Sequence, residues 1–151
     1  MFTLQTSAFA DGGPLPSRFT CEGANVAPAL SWRGAPDSAQ SFALIMDDPD
    51  APRGVWTHWT LFNLPATVHD LAEGWQAGAP GVSGQNDFGK VGYGGPCPPR
   101  GNGPHRYFFR LYALAVPSLP LRAGATRAEL ERALAGHVIG QAQLMGRYER
   151  K

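Results

Sequence analysis

Glycine and proline interrupt this sequence so often that long helices have little room in it. Its 151 residues hold 19 Gly and 14 Pro, and short apolar segments recur between them, the pattern of many short strands joined by turns. Leu30–Trp32 is bracketed by Pro28 and Gly34, and Ser41–Met46 runs unbroken into a cluster of carboxylates. Val55–Leu64 and Tyr107–Leu114 are aromatic and β-branched, stopping at Pro65 and near Pro117, and both read as core strands. Alternation along 55–64 sets Trp56, His58, Thr60 and Phe62 on one face and Val55, Thr57, Trp59 and Leu61 on the other. Apolar groups fall on both, so this strand is expected to be buried on two sides.

One helix stands out near the end. Thr126-Arg127-Ala128-Glu129 matches a capping box, Leu130 and Leu134 share a face, and Gly136 is the expected stop. Beyond it, Ala142, Leu144, Gly146 and Tyr148 alternate with Gln141, Gln143, Met145 and Arg147, which suits a final strand. Residues 78–104 are glycine-rich and read as a long loop, a feature that is usually functional in a compact domain. No repeat, low-complexity tract or linker divides the chain, so residues 1–151 are expected to form a single, mainly β domain. A chain of this size buries roughly 68–70% of its unfolded surface and needs no metal or disulfide staple.

A formal net charge of +1 supplies no field to draw nucleic acid or an anionic membrane across a wide surface, so any anion must be held locally. The first residues lack a basic and an apolar region, and no run of about 18 apolar residues follows. A cytoplasmic protein without a membrane span is the expectation. Cys21 and Cys97 form no metal-binding spacing. The ordinary reading is two reduced thiols in a reducing cytoplasm, and the alternative is that both lie near a pocket and oxidise to a disulfide.

Three places could carry chemistry. The strand at 41–46 delivers Asp47-Asp48-Pro49-Asp50-Ala51-Pro52, where two prolines stiffen a carboxylate corner and Ala51–Pro52 is a candidate cis peptide. His58 sits mid-strand between aromatic residues, a costly place for an imidazole unless something hydrogen-bonds it. His105 leaves a glycine loop, Gly101-Asn102-Gly103-Pro104, at the start of an aromatic strand. The preceding Gly94–Gly103 stretch lacks the Gly-Lys-Ser/Thr ending of a phosphate-binding loop and enters a strand, yet its backbone N–H groups could present a nest to an anion.

Asp48-Pro49-Asp50-Ala51-Pro52 with Trp56-Thr57-His58-Trp59, and Pro98-Pro99-Arg100-Gly101-Asn102-Gly103-Pro104-His105-Arg106-Tyr107, resemble the two signature regions of the phosphatidylethanolamine-binding protein family. Asn86-Asp87-Phe88-Gly89 and the ending Leu144–Glu149 are similar to its bacterial and archaeal branch, labelled Raf-kinase-inhibitor-like. The resemblance implies an antiparallel Greek-key β-sandwich with one or two peripheral helices. It also implies a pocket for phosphate, a phosphoryl headgroup or a carboxylate, built from Asp48, His58, Pro98, His105 and Tyr107. Asp50, Pro52 and Cys97 would support it. No cofactor is implied, and the partners would be a small anionic ligand, a kinase or protease target that the protein regulates or inhibits, and a second copy in a homodimer.

Such a site makes physical sense. A carboxylate accepting from one nitrogen of a histidine fixes the ring and leaves the other nitrogen to donate to an anion, and a tyrosine adds an O–H donor. The expectation is therefore a binding module and not an enzyme. The competing reading is a metal-dependent hydrolase, since His58, His105 and Asp48 could also form a facial metal triad. A serine hydrolase is weaker, because no Gly-x-Ser-x-Gly elbow occurs.

Overall fold

In the computed structural model, which describes Met1–Lys151, the chain forms two antiparallel sheets and one short helix. The strands are β1 (Thr3–Gln5), β2 (Leu30–Arg33), β3 (Ser41–Asp48), β4 (Trp56–Pro65), β5 (Asp70–Leu71), β6 (Val82–Ser83), β7 (His105–Leu114) and β8 (Val138–Tyr148). A turn of 3-10 helix occupies Ser17–Phe19, and helix α1 (Arg127–Leu134) precedes β8. The smaller sheet has the order β1-β2-β5 and the larger β6-β4-β3-β7-β8. Within the larger sheet β7 returns to lie beside β3, on the side away from β4 and β6, which is a Greek-key arrangement.

β3 is the centre of the molecule, and all eight of its residues are buried. Its alternating side chains divide between two cores. Phe42, Leu44 and Met46 meet Trp32, Trp59, Phe109 and Leu111 between the sheets. Ala43 and Ile45 meet Phe62, Leu114, Leu130 and Leu134 beneath α1. Truncating a fully buried aromatic such as Phe42 or Phe109 would cost about 3–5 kcal/mol. The capping box of α1 forms as expected: the Thr126 hydroxyl accepts from the Glu129 N–H, and the Glu129 carboxylate accepts from the Thr126 N–H. Gly136 follows in the left-handed region at φ 82°.

Four expectations change. β3 does not stop at Met46 but continues through Asp48, so Asp47 and Asp48 still alternate across the sheet. Asp47 turns toward α1, where Arg110 and Arg127 each donate to it at 2.8 Å, while Asp48 turns inward. β8 begins at Val138, four residues before Ala142, because its early residues pair with the end of β7. The long loop contains the two-residue strand β6, which is anchored to Leu61 and Phe62 of β4. No peptide bond is cis, so Ala51–Pro52 is trans.

The faces of β4 also differ from strict alternation. Opposite β3 the pairs run Met46↔Trp59 and then Asp47↔Thr57, which leaves His58 as an extra residue on β4. This β-bulge puts His58 and Trp59 on the same inner side, with Thr57 outward toward Arg127. A second irregularity lies between Phe42 and Leu44. It contains Asn63, which takes a φ of 55°, and beyond it Leu64 again faces inward with Leu61.

Candidate functional site

β3 ends, β4 begins and β7 begins at the same end of the larger sheet, because both neighbours run antiparallel to β3. That geometry alone gathers Asp48, His58, His105 and Tyr107. The loops at this end close a cavity of about 180 Å3 over them, lined also by Ala51, Pro52, Trp56, Phe88, Cys97, Pro98 and Pro99. All five residues expected to bind ligand therefore share one cavity, together with Pro52 and Cys97. Asp50 does not line it. Its carboxylate instead accepts from the Arg106 backbone N–H at 2.9 Å and from the guanidinium at 2.9 and 2.8 Å, tying the Pro49–Gly54 turn to β7. Those bonds hold the Asp50 carboxyl down to about 2.

Asp48 is used up within the protein. One oxygen accepts from the Asp50 N–H at 2.7 Å and the other from His105 Nδ1 at 2.6 Å. His105 Nε2 is engaged as well, 2.6 Å from the side-chain oxygen of Asn102. The carboxylate fixes the ring as expected, but the second nitrogen does not face the cavity free. His58 differs: its Nδ1 lies 2.6 Å from the Gly94 carbonyl, and the His58 carbonyl accepts from the Gly94 N–H at 2.9 Å. A carbonyl can only accept, so Nδ1 carries the proton and Nε2 is left without a protein partner. Burial lowers the His58 pKa below its ordinary value, against the opposing pull of the Gly94 carbonyl and Asp48. Tyr107 stacks on His105 and meets His58 edge to face. Burial, with the Asp48 charge nearby, pushes its phenol far up, so it stays an O–H donor.

The metal triad is not assembled. Both oxygens of Asp48, both nitrogens of His105 and Nδ1 of His58 are committed to other groups, and no three His, Cys, Asp or Glu side chains are placed to hold a metal ion.

The long loop forms one wall. Buried Asn86 braces it, its amide donating to Gly92 O and its oxygen accepting from the N–H groups of Phe88 and Lys90. Phe88 is thereby held edge to face against Trp56 and His58. Gly94 must be glycine to allow this, since a Cβ there would lie 2.6 Å from the Phe88 ring. Cys97 is bonded to Cys21, with Cα atoms 5.4 Å apart, so the reduced-thiol expectation is replaced by the alternative. The Cys21 N–H also donates to Pro96 O, and Arg150 holds Pro98 O at 2.8 Å from the other side. Phe88, Trp56, Pro99 and Asn102 were not singled out from sequence. Each lies inside one of the motifs that carry the family resemblance, and that is the signal that could have found them.

The fold and site define a β-sandwich protein with a small, largely apolar-lined cavity at the end of its larger sheet, walled by two motif loops. The chain belongs to the phosphatidylethanolamine-binding protein family, whose model matches residues 5–149, and to its bacterial and archaeal branch. It is 52% identical over 151 residues to a UPF0098 protein of Methanothermobacter thermautotrophicus, covering 97% of this chain and 98% of the relative. It superposes with a TM-score of 0.92 on a phosphatidylethanolamine-binding protein homolog from Chlamydia trachomatis, CT736, at 41% identity, covering 99% and 98% of the two chains. Escherichia coli YbcL, a member of the mammalian family, gives the same TM-score at 36% identity and 99% coverage of both.

Proposed function

We propose that the protein binds a small anionic group, phosphate-like or a carboxylate, in the cavity between His58, His105 and Tyr107, and that it acts as a binding protein and not as an enzyme. One observation carries this reading. Trp56 Nε1 and Tyr107 Oη, both on lining residues, are buried without any hydrogen-bond partner. An unpaired buried donor costs about 1–3 kcal/mol; neither atom has accessible surface, so an oxygen-rich ligand that satisfied both would displace the side chains around them. The volume suits a headgroup: it slightly exceeds the roughly 150 Å3 of a cavity that takes one benzene.

Regulation or inhibition of a kinase or protease would then follow if the target presents such a group to the mouth, where Phe88 is exposed. A homodimer would have a surface at the start of β8, where Val138 and Ile139 are exposed on an outer strand. No helix is long and apolar enough to cross a membrane. The formed disulfide favours an oxidising compartment over the cytoplasm expected from sequence.

Tyr107→Phe tests the reading cleanly, because it deletes one unpaired oxygen and keeps the packing. Calorimetric titration with inorganic phosphate should show about a tenfold loss of affinity, while thermal stability holds or rises. Unchanged affinity would remove Tyr107 from the site and the main support for the anion reading.

A further inference from the structure

The Cys21–Cys97 bridge joins a surface turn to the wall of the cavity. Cys21 opens a run of five exposed residues, Cys21–Asn25, whereas Cys97 is half-buried and lines the cavity beside Pro98 and Pro99. Neither segment depends on the bond for its place. Cys21 N–H donates to Pro96 O at 3.1 Å, Gly95 N–H to the Asn25 side-chain oxygen at 2.8 Å and the Tyr93 hydroxyl to Phe19 O at 2.6 Å, while Arg150 holds Pro98 O at 2.8 Å. These bonds keep the two cysteines side by side when the covalent bond is open, so reclosure is intramolecular and favoured. The two sulfurs differ in access, and access decides which sulfur of a disulfide an external thiol attacks.

We propose that the bridge is a reversible gate in the cavity wall: external thiols open it at Cys21, and the freed Cys97 becomes a modification site for reagents small enough to enter the cavity. The thiolate of a monothiol attacks Sγ of Cys21, a new S–S bond forms there, the Cys21–Cys97 bond breaks, and Cys97 leaves as a thiolate that takes a proton from water. Without a second reagent, Cys97 gives up that proton, attacks the mixed disulfide at Cys21, expels the monothiol and restores the bridge. With a small disulfide or thiosulfonate in the cavity, the Cys97 thiolate attacks one sulfur of the reagent, keeps that half in a new S–S bond and releases the other as a thiolate or sulfinate. The adduct shares a space of about 180 Å3 with His58 and His105, so it closes the cavity from within. A group added to Cys21 projects into solvent and has no such consequence.

Brief exposure of the intact protein to glutathione, followed by acid quenching and peptide mapping, should find the mixed disulfide on Cys21 at least about tenfold more often than on Cys97. In Cys21→Ser, which leaves Cys97 as the one thiol, methyl methanethiosulfonate should label it readily. A maleimide carried on polyethylene glycol should label it at least about tenfold more slowly than it labels Cys21 in Cys97→Ser. Methylthiolation of Cys97 should shift the ring proton signals of His58 and His105, and methylthiolation of Cys21 should leave them in place. Dithiothreitol should open the bridge of the intact protein with the near-ultraviolet circular dichroism retained, and oxidised glutathione should restore it. Glutathione found on the two cysteines in less than about a tenfold ratio, or chiefly on Cys97, overturns the inference. So does bulky labelling of Cys97 as fast as that of Cys21, histidine signals unmoved by the Cys97 adduct, or loss of the folded signal on reduction.

Discussion

His58 and His105 face the same cavity, but only His58 keeps a ring nitrogen free; His105 is held at both ends, by Asp48 and by Asn102. The two histidines therefore have different jobs, and alanine should separate them. His105→Ala strands the Asp48 carboxylate, whose side chain is 4% exposed, and should cost about 3–5 kcal/mol of stability. His58→Ala leaves the Gly94 carbonyl unpaired, at about 1–3 kcal/mol, and should remove most of the phosphate affinity. Urea unfolding and calorimetry on both variants would check the order; a larger stability loss for His58→Ala would contradict it.

Acid should act on the fold through His58. Its folded pKa lies below the ordinary 6.5, so below that pH the unfolded chain takes up a proton that the folded chain refuses. His58's contribution is thus intact above 6.5 and declines as pH falls below it, toward the folded value. The His58 ring proton signal should titrate with a midpoint under 6.5, and His58→Gln should lose less stability than the wild type across the same window. Asp50 adds a separate limb: its pairing with Arg106 contributes above the ordinary 3.8 and is lost as pH falls to about 2. A His58 midpoint above 6.5 would refute the first of these.

The Cys21–Cys97 bridge should be a staple more than a shaper of the pocket. It spans 76 residues, and replacing both cysteines by serine should lower stability by about 2–4 kcal/mol. Ligand affinity should change little, because Cys21 N–H to Pro96 O, Gly95 N–H to the Asn25 side chain and Arg150 to Pro98 O remain in place. A serine double variant with unchanged melting behaviour but lost phosphate binding would reverse the assignment.

Much of the site was legible because it rests on local rules. The two aromatic strands announce themselves by residue type, the carboxylate corner by its prolines, and the capped helix by a four-residue pattern. What could not be read depends on partners distant in sequence. Trp56, His58, Thr60 and Phe62 look like one face of a strand until β3 is laid beside them; only the pairing reveals that His58 has no opposite number and that Thr60 and Phe62 belong to the other side. Asn102 occupying the second nitrogen of His105, and Phe88 resting on Trp56, likewise arise from loop paths fixed by Asn86 and by the contacts of Gly95 with Phe19 and Asn25. The disulfide was open in the sequence for the same reason.

The bulge in β4 has an arithmetic consequence. With Asp47 opposite Thr57 and Met46 opposite Trp59, the ladder is complete without His58. Deleting that one codon would leave a plain ribbon whose Trp56, Thr57 and Trp59 keep their present sides, with the imidazole and both bonds of His58 to Gly94 gone. Deleting Thr57 instead would draw His58 into the ladder opposite Asp47 and turn its imidazole to the α1 side. The histidine is thus a guest in the strand, and insertions or deletions within 56–61 would switch the site on or off more sharply than substitutions, with little change to the scaffold that carries it.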